Sequence, residues 1–327
     1  MNKSKRVGII VTIAFIAIVL IVAFTNKNTI DNYEINESFE KIDIRNSEYD
    51  VSFVLVPDGE GKVVIKGSNK INHTVNVKND TLTIIQNDRL SWYKHIRIGW
   101  RDTMSITVYL PESEYMSINL KTASGDIEIP DNFSFRKAEL LSTSGDISFM
   151  SNTSELLSVN STSGDINLKN SEDGSIMAES TSGEITVADM STSEMNIKTT
   201  SGDINIKNSE RGSIMAESTS GDIIVSDTSP YELYLKTTSG DIETNFVKVN
   251  DIAVLESNSG DIEIDKSDAT SFNVKTKSGD VKGRILSSKK FITETNSGKV
   301  KIPDSDPSAG ICDITTSSGS IEIEIIP

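Results

Sequence analysis

Residues 166–183 read INLKNSEDGSIMAESTSG, and residues 204–221 read INIKNSERGSIMAESTSG. The two stretches differ at two of 18 positions and start 38 residues apart. Within that unit lies a shorter repeat marked by Ser-Gly pairs. Working outward in both directions, the pairs place glycines at Gly125, Gly145, Gly164, Gly183, Gly202, Gly221, Gly240, Gly260, Gly279, Gly298 and Gly319. Their spacings are 20, 19, 19, 19, 19, 19, 20, 19, 19 and 21 residues. A fixed period of this size is the mark of a stacked repeat architecture.

Each repeat alternates with period two. Seven before the glycine stand residues such as Ile176, Met195, Ile214 and Leu233, and five before it Ala178, Ile197, Ala216 and Leu235. Two after it every repeat carries Ile or Val. Such alternation describes strands with one buried face. The glycine between the two strands is expected at a corner, where it takes a positive φ at little cost. The expected fold is therefore all-β: a parallel β-solenoid, or β-helix, of about eleven 19-residue rungs over residues 118–327.

A charge pattern specifies how rungs stack. Four before the glycine, on the outward face, stand Glu179, Lys198, Glu217, Lys236, Glu256, Lys275 and Glu294. The sign alternates with every rung. In a parallel in-register stack these side chains lie about 4.8 Å apart, and opposite charges there attract. The alternation makes sense only if successive rungs are neighbours.

Three further columns follow from the same register. A Ser or Thr three before each glycine points inward, where hydroxyls satisfy the corner's backbone groups. Two before it, Thr143, Thr162, Thr181, Thr200, Thr219 and Thr238 form an outward row, read as β-propensity on an exposed strand. Flat threonine arrays can also bind ice or crystalline polysaccharide. One after it stands an acid column: Asp126, Asp146, Asp165, Glu184, Asp203, Asp222, Asp241, Asp261 and Asp280, ending in sequence with Lys299 and Ser320. Stacked carboxylates repel by roughly 1 kcal/mol per neighbouring pair even in water. Solvation and hydrogen bonds from corner N–H groups are the expected offset. The sharper alternative is Ca²⁺ between rungs, held by the aspartates of this column.

Residues 35–117 lack the Ser-Gly rhythm but still alternate as strands, as in KIDIR (41–45) and KVVIK (62–66). They are expected to form an N-terminal β cap that covers the first rung's open edge. Within them Trp92, Tyr93, His95 and Trp100 cluster with Lys94, Arg97 and Arg101. That stretch reads as a packed cap loop, with contact to sugars or lipid headgroups through Trp92, Tyr93 and Trp100 as the alternative. Upstream, Val7 to Phe24 is an apolar run of 18 residues preceded by Lys3, Lys5 and Arg6. It is long enough to span a bilayer as a helix. The positive-inside bias makes residues 1–6 a cytoplasmic tail, 7–24 a transmembrane helix and 25–34 a linker to an extracellular remainder. A cleaved signal peptide is the rival reading.

The repeated Ser-Gly-Asp-Ile signature, the leading strands and the Tyr109-Leu110-Pro111 step into the first rung resemble the bacterial putative-adhesin family, β-strand-repeat proteins long described as a domain of unknown function. The likeness covers about residues 35–326. It implies a parallel β-solenoid, often membrane-attached, and in some relatives a genetic association with envelope-stress systems. It carries no catalytic residues to transfer.

The inventory for chemistry is thin. Net charge of −16 argues against nucleic acid. His73 and His95 are the only histidines and both precede the repeats, so a Ser-His-Asp set within the solenoid is impossible. Cys312, the single cysteine, falls in an inward column. No cofactor is expected. The expected function is a membrane-anchored surface adhesion, scaffolding or binding module facing cell-wall polymer or envelope proteins. The alternatives are an accessory or sensor component of an envelope-stress system and, third, a wall-polysaccharide enzyme.

Overall fold

A computed structural model of the chain describes residues 28–57, 59–68, 71–87, 104–172 and 174–326. Every Ser-Gly rung gives one strand to each of two parallel sheets. In the rung of Gly221, Glu210–Glu217 lies in a sheet of longer strands and Ile223–Ser226 in a sheet of shorter ones. We call these the long and short sheets. The alternation read from the sequence places Ile214, Ala216, Ile223 and Val225 in the core. Burying each of the larger side chains contributes about 1.5–3 kcal/mol.

From Gly125 to Gly279 consecutive rungs are neighbours. Ile176 pairs with Met195, Met195 with Ile214, and Ile214 with Leu233 along the long sheet. Ile185, Ile204 and Ile223 follow one another along the short sheet.

The corner glycines serve a different purpose from the one expected. None of the described glycines has a positive φ. Instead, a Cβ on Gly221 would overlap the carbonyl oxygen of Gly202 in the rung below, and the other corners repeat this against their own neighbours. Gly125 meets the carbonyl of Tyr49 in the same way. Close approach of rung to rung demands glycine here, not backbone handedness.

Left-handed backbone belongs to the opposite corner. Asn170, Asp189, Asn208 and Asp227, each six after a Ser-Gly glycine, have φ of 66°, 56°, 49° and 51°. Asn and Asp tolerate this region because their side chains bond locally. Phe246 and Lys266 continue the column at 55° and 45°.

Both ends depart from sequence order. Lys41–Arg45 and Asp50–Leu55 form a rung without a Ser-Gly corner. It lies between the rung of Glu114–Lys121 and Ile127–Ile129 and the rung of Thr81–Asn87 and Ser105–Leu110. Outside that, Asn72–Lys78 and Gly61–Ser68 add antiparallel to the two sheets, and Asn28–Ile35 adds to Gly61–Ser68. Antiparallel strands thus cover the parallel edge at this end.

At the other end, Ile311–Thr315 is inserted between Ile262–Lys275 and Lys290–Glu294. Ile321–Ile325 is likewise inserted between Val281–Ile285 and Val300–Lys301. In space the Gly319 rung therefore precedes the Gly298 rung, which corrects the expectation that all consecutive repeats stack directly. The inversion leaves residues 302–310, with Pro303 and Pro307, as a connection folded over the last strand. Phe291 N–H donates to Ser305 Oγ at 3.0 Å and Asp306 N–H to Lys289 O at 3.0 Å. Occupying a terminal edge this way guards against pairing with another chain.

Among the described residues no helix is long and apolar enough to cross a membrane. The expected transmembrane run Val7 to Phe24 lies outside the described residues.

Candidate functional site

The acid column is built on the Ser-Gly corner. Three before each glycine, the inward hydroxyl accepts the glycine N–H at 2.8–3.2 Å, from Thr122 and Gly125 through Thr316 and Gly319. Ser218, Thr237, Ser257 and Thr276 also donate to the glycine carbonyl of the rung below. Two backbone groups that a tight corner would orphan are thereby partnered.

The next residue holds the acid, and its use is regular. Asp126 Oδ1 accepts the N–H of Asp146, Asp146 that of Asp165, and Asp165 that of Glu184, each at 2.9 Å. Asp203, Asp222, Asp241 and Asp261 continue the chain at 2.7–2.9 Å. Asp50, a residue outside the repeats, opens it by accepting the N–H of Asp126 at 3.1 Å. Each charged acceptor serves the rung above, so one oxygen of the carboxylate is committed to structure. Glu184 is the exception: its Oε1 accepts from Thr186 Oγ1 and Asn205 Nδ2.

The two odd members at the end now make sense. Asp280 accepts the N–H of Ser320, and Ser320 Oγ accepts that of Lys299 at 3.3 Å. Lys299 sits on the terminal rung, where no further corner amide calls for an acceptor. Among the described residues no group of three or more His, Cys, Asp or Glu is placed to hold a metal ion.

The long sheet's outer face carries the charge ladder. Glu179 pairs in register with Lys198, Lys198 with Glu217, Glu217 with Lys236, Lys236 with Glu256, and Glu256 with Lys275. Lys198 Nζ lies 3.5 Å from Glu217 Oε2, an exposed pair worth about 0.2–1 kcal/mol. Glu294 does not follow Lys275 as expected. Inversion of the last two rungs puts Thr315 between them. Beside the ladder runs the exposed threonine row, and between the two lies an open groove of about 660 Å³. It extends from Leu141 to Thr238, with Ser161, Ser180, Thr199 and Ser218 at its base.

Reactive groups are confined by packing. Cys312 is buried, and burial pushes its thiol up to about 12, which leaves it protonated at neutral pH. His73, the one described histidine, lies edge-on to Tyr49 at 4.7 Å. Burial lowers its pKa, opposed by the charge of Asp31. Tyr115 is raised to about 12 by burial, and its hydroxyl donates to Pro111 O at 2.9 Å. None of these stands beside a partner that would make it a nucleophile or general base. The expected contact residues Trp92, Tyr93 and Trp100 lie outside the described residues.

Two features escaped the sequence reading. The Asn170–Asp227 corner column was open to discovery from its 19-residue spacing and its Asx residues. Lys289 is buried at 4% exposure with Nζ 2.8 Å from Asp268. Both residues lie outside the repeated columns, so no pattern pairs them.

No curated protein matches this chain. Among solved structures, one described as a putative adhesin from Bacteroides fragilis is 16% identical. The match covers 91% of this chain and 97% of that one, with a TM-score of 0.34. One described as a putative lipid binding protein from Parabacteroides distasonis is 15% identical, over 91% and 98% of the two chains, with a TM-score of 0.38. Scores this low carry no argument, and the fold rests on the register described above. The model of the Toastrack family, DUF4097, matches residues 39–251 and 228–326, and the chain belongs to that family.

Proposed function

We propose that this protein is a non-catalytic binding rod, tethered to the cell surface through residues 7–24, that presents its long sheet to an envelope polymer or partner. The carrying observation is the common register of the strand ends at the Ser-Gly corners from Gly125 to Gly279, which the bulges after Phe135 and Val249 leave intact. It repeats a charged side chain on each rung from Glu179 to Lys275 and a threonine on each from Thr143 to Thr238, about 4.8 Å apart, while every corner aspartate from Asp126 to Asp280 gives one oxygen to a backbone amide. A surface so regular offers many equivalent contacts. Catalysis instead needs a local cluster of groups with divided roles.

The test uses the full chain in mild detergent, incubated with a bacterial envelope fraction separated into wall polymer and membrane. Saturable binding that persists when any single column aspartate is changed to Ala supports the reading. Turnover of the polymer that one carboxylate substitution abolishes contradicts it. For the tether, deleting residues 7–24 should move the protein from the membrane to the soluble fraction of cells. Retention in the membrane contradicts that part.

A further inference from the structure

The groove between the charge ladder and the threonine row has a period that restricts what can lie in it. We infer that it binds one strand of an extended glycan in which an N-acetylated amino sugar alternates with a carboxylate-bearing sugar, running along the solenoid axis. This rests on the binding-rod reading and specifies its ligand.

An added peptide strand is disfavoured by direction. Strand hydrogen bonds in a solenoid point along its axis, and here they join rung to rung, as at Ser182 N–H to Thr162 O and Ser201 N–H to Thr181 O. An occupant of the groove finds no free edge of the kind that β-augmentation requires. An extended peptide also advances about 3.3 Å per residue against about 4.8 Å per rung, so its side chains drift out of phase. Nucleic acid needs a run of cations, whereas every second ladder position here is acidic. Apart from Leu141 at one end, the lining is hydroxyl, amide and charged groups, which give lipid tails no continuous apolar surface to bury.

An extended glycan meets these conditions. Its rings present hydroxyls at each step, and Thr181, Thr200 and Thr219 present one exposed hydroxyl per rung. The ladder repeats its charge every two rungs, about 9.6 Å, which suits a disaccharide and not a monosaccharide repeat. Lys198 and Lys236 would face carboxylates on alternate sugars, and Glu179 and Glu217 the acetamido N–H groups between them. Among the described residues the ladder closes one ion pair, Lys198–Glu217 at 3.5 Å, so Lys236 and Glu179 meet a ligand directly, while Lys198 and Glu217 exchange their exposed contact with each other for the ligand's carboxylate and N–H.

The test is calorimetric titration of the full chain in detergent at about 0.15 M salt, where the Debye length of about 8 Å screens the chain's overall charge. Three probes are compared: hyaluronan oligosaccharide, with a carboxylate on alternate sugars; chitin hexamer, with none; and polygalacturonate, with one on every sugar. The expected result is tightest binding of hyaluronan. K198Q/K236Q should weaken it at least tenfold and leave chitin binding unchanged. T181V/T200V/T219V should weaken both, with the thermal midpoint of each variant held as the control for folding. Equal affinity for all three probes, or indifference to both sets of substitutions, overturns the inference. A chain that binds the envelope fraction but none of the three glycans overturns it and leaves the binding rod standing. A chain that binds neither overturns both.

Discussion

The carboxylate of Asp280 accepts the amide N–H of Ser320 at 2.7 Å across forty residues of chain. Along the rest of the repeat the same bond spans 19 or 20 residues, as from Asp222 to Asp241 and from Asp241 to Asp261. The long step marks the place where the last rung slips beneath its predecessor. The bond itself is conserved through the change of connectivity, because it belongs to neighbouring rungs and not to neighbouring repeats.

The acid column therefore acts as a ladder of acceptors. Asp222→Ala should cost about 0.5–1.5 kcal/mol by leaving the N–H of Asp241 without its partner. Asp222→Asn should cost less, since an amide oxygen still accepts and like-charge repulsion falls. Glu184→Asp should stabilise the protein by supplying the shorter acceptor used by the other rungs. Denaturant unfolding of the three variants checks the order, and equal loss for Ala and Asn would contradict the acceptor role. Adding millimolar calcium should leave the thermal midpoint unchanged; a rise of several degrees would support the ion-bridged alternative.

The two corners predict opposite responses to a side chain. Gly221→Ala should destabilise by at least about 3 kcal/mol, because the added Cβ meets a carbonyl oxygen of the backbone and no side chain can yield. Phe246→Asn should stabilise by up to about 1 kcal/mol, since Phe is held at φ 55° where the four preceding members of the column are Asn or Asp. The exposed ring's contact with Lys266, 4.7 Å from its centroid, limits the gain. Thermal unfolding of both variants reads the difference. A tolerated Gly221→Ala would mean the rungs are farther apart than described.

Burial of His73 gives the N-terminal cap an acid-sensitive limb. Its pKa lies below the ordinary value of 6.5 because burial disfavours the charged ring. The unfolded chain thus takes up a proton before the folded one as pH falls. The stability that neutral His73 permits is complete above about 6.5 and declines as pH drops towards the lowered folded value. Its Nε2 has no hydrogen-bond partner among the described residues, so a non-titrating ring fits the site without losing a bond. His73→Phe should lose less of its thermal midpoint between pH 7 and pH 5.5 than the parent chain. Equal losses would remove His73 from the account.

Cys312 reports on the inserted rung. It lies in register between Phe272 and Phe291, buried, with a thiol pushed up to about 12. A neutral-pH thiol reagent should react only at the rate at which this rung opens. Glu294→Pro, which breaks the outer strand, should accelerate labelling more than the same change at Glu128, far down the stack. Rapid labelling of the native chain would show that the strand is not inserted.

The repeat made most of the fold legible. Inward columns such as Ile176, Met195 and Ile214 and the alternation of Glu179, Lys198 and Glu217 determine strand phase and register together, because a slip of one residue would reverse both. The inverted end was not legible, since either order of the last two rungs buries the same columns. Ser320 and Lys299 at the acid position were the available sign, and only the acceptor role explains them. Glycine's purpose is hidden for a related reason. Positive φ and close approach both select glycine, and sequence alone does not separate them. The groove was visible only as two separate columns, because its concavity depends on how the corner turns between them.

Rung order at the C-terminal end is the central structural claim, and paired cysteines read it most directly. Lys277 O accepts the N–H of Ser317, whereas Asn296 lies one rung farther away and bonds in turn to Ser317. Cysteines at 277 and 317 should form a disulfide under mild oxidation, and cysteines at 277 and 296 should not. Efficient bridging of 277 to 296, with none between 277 and 317, would mean that the repeats stack in plain sequence order to the end.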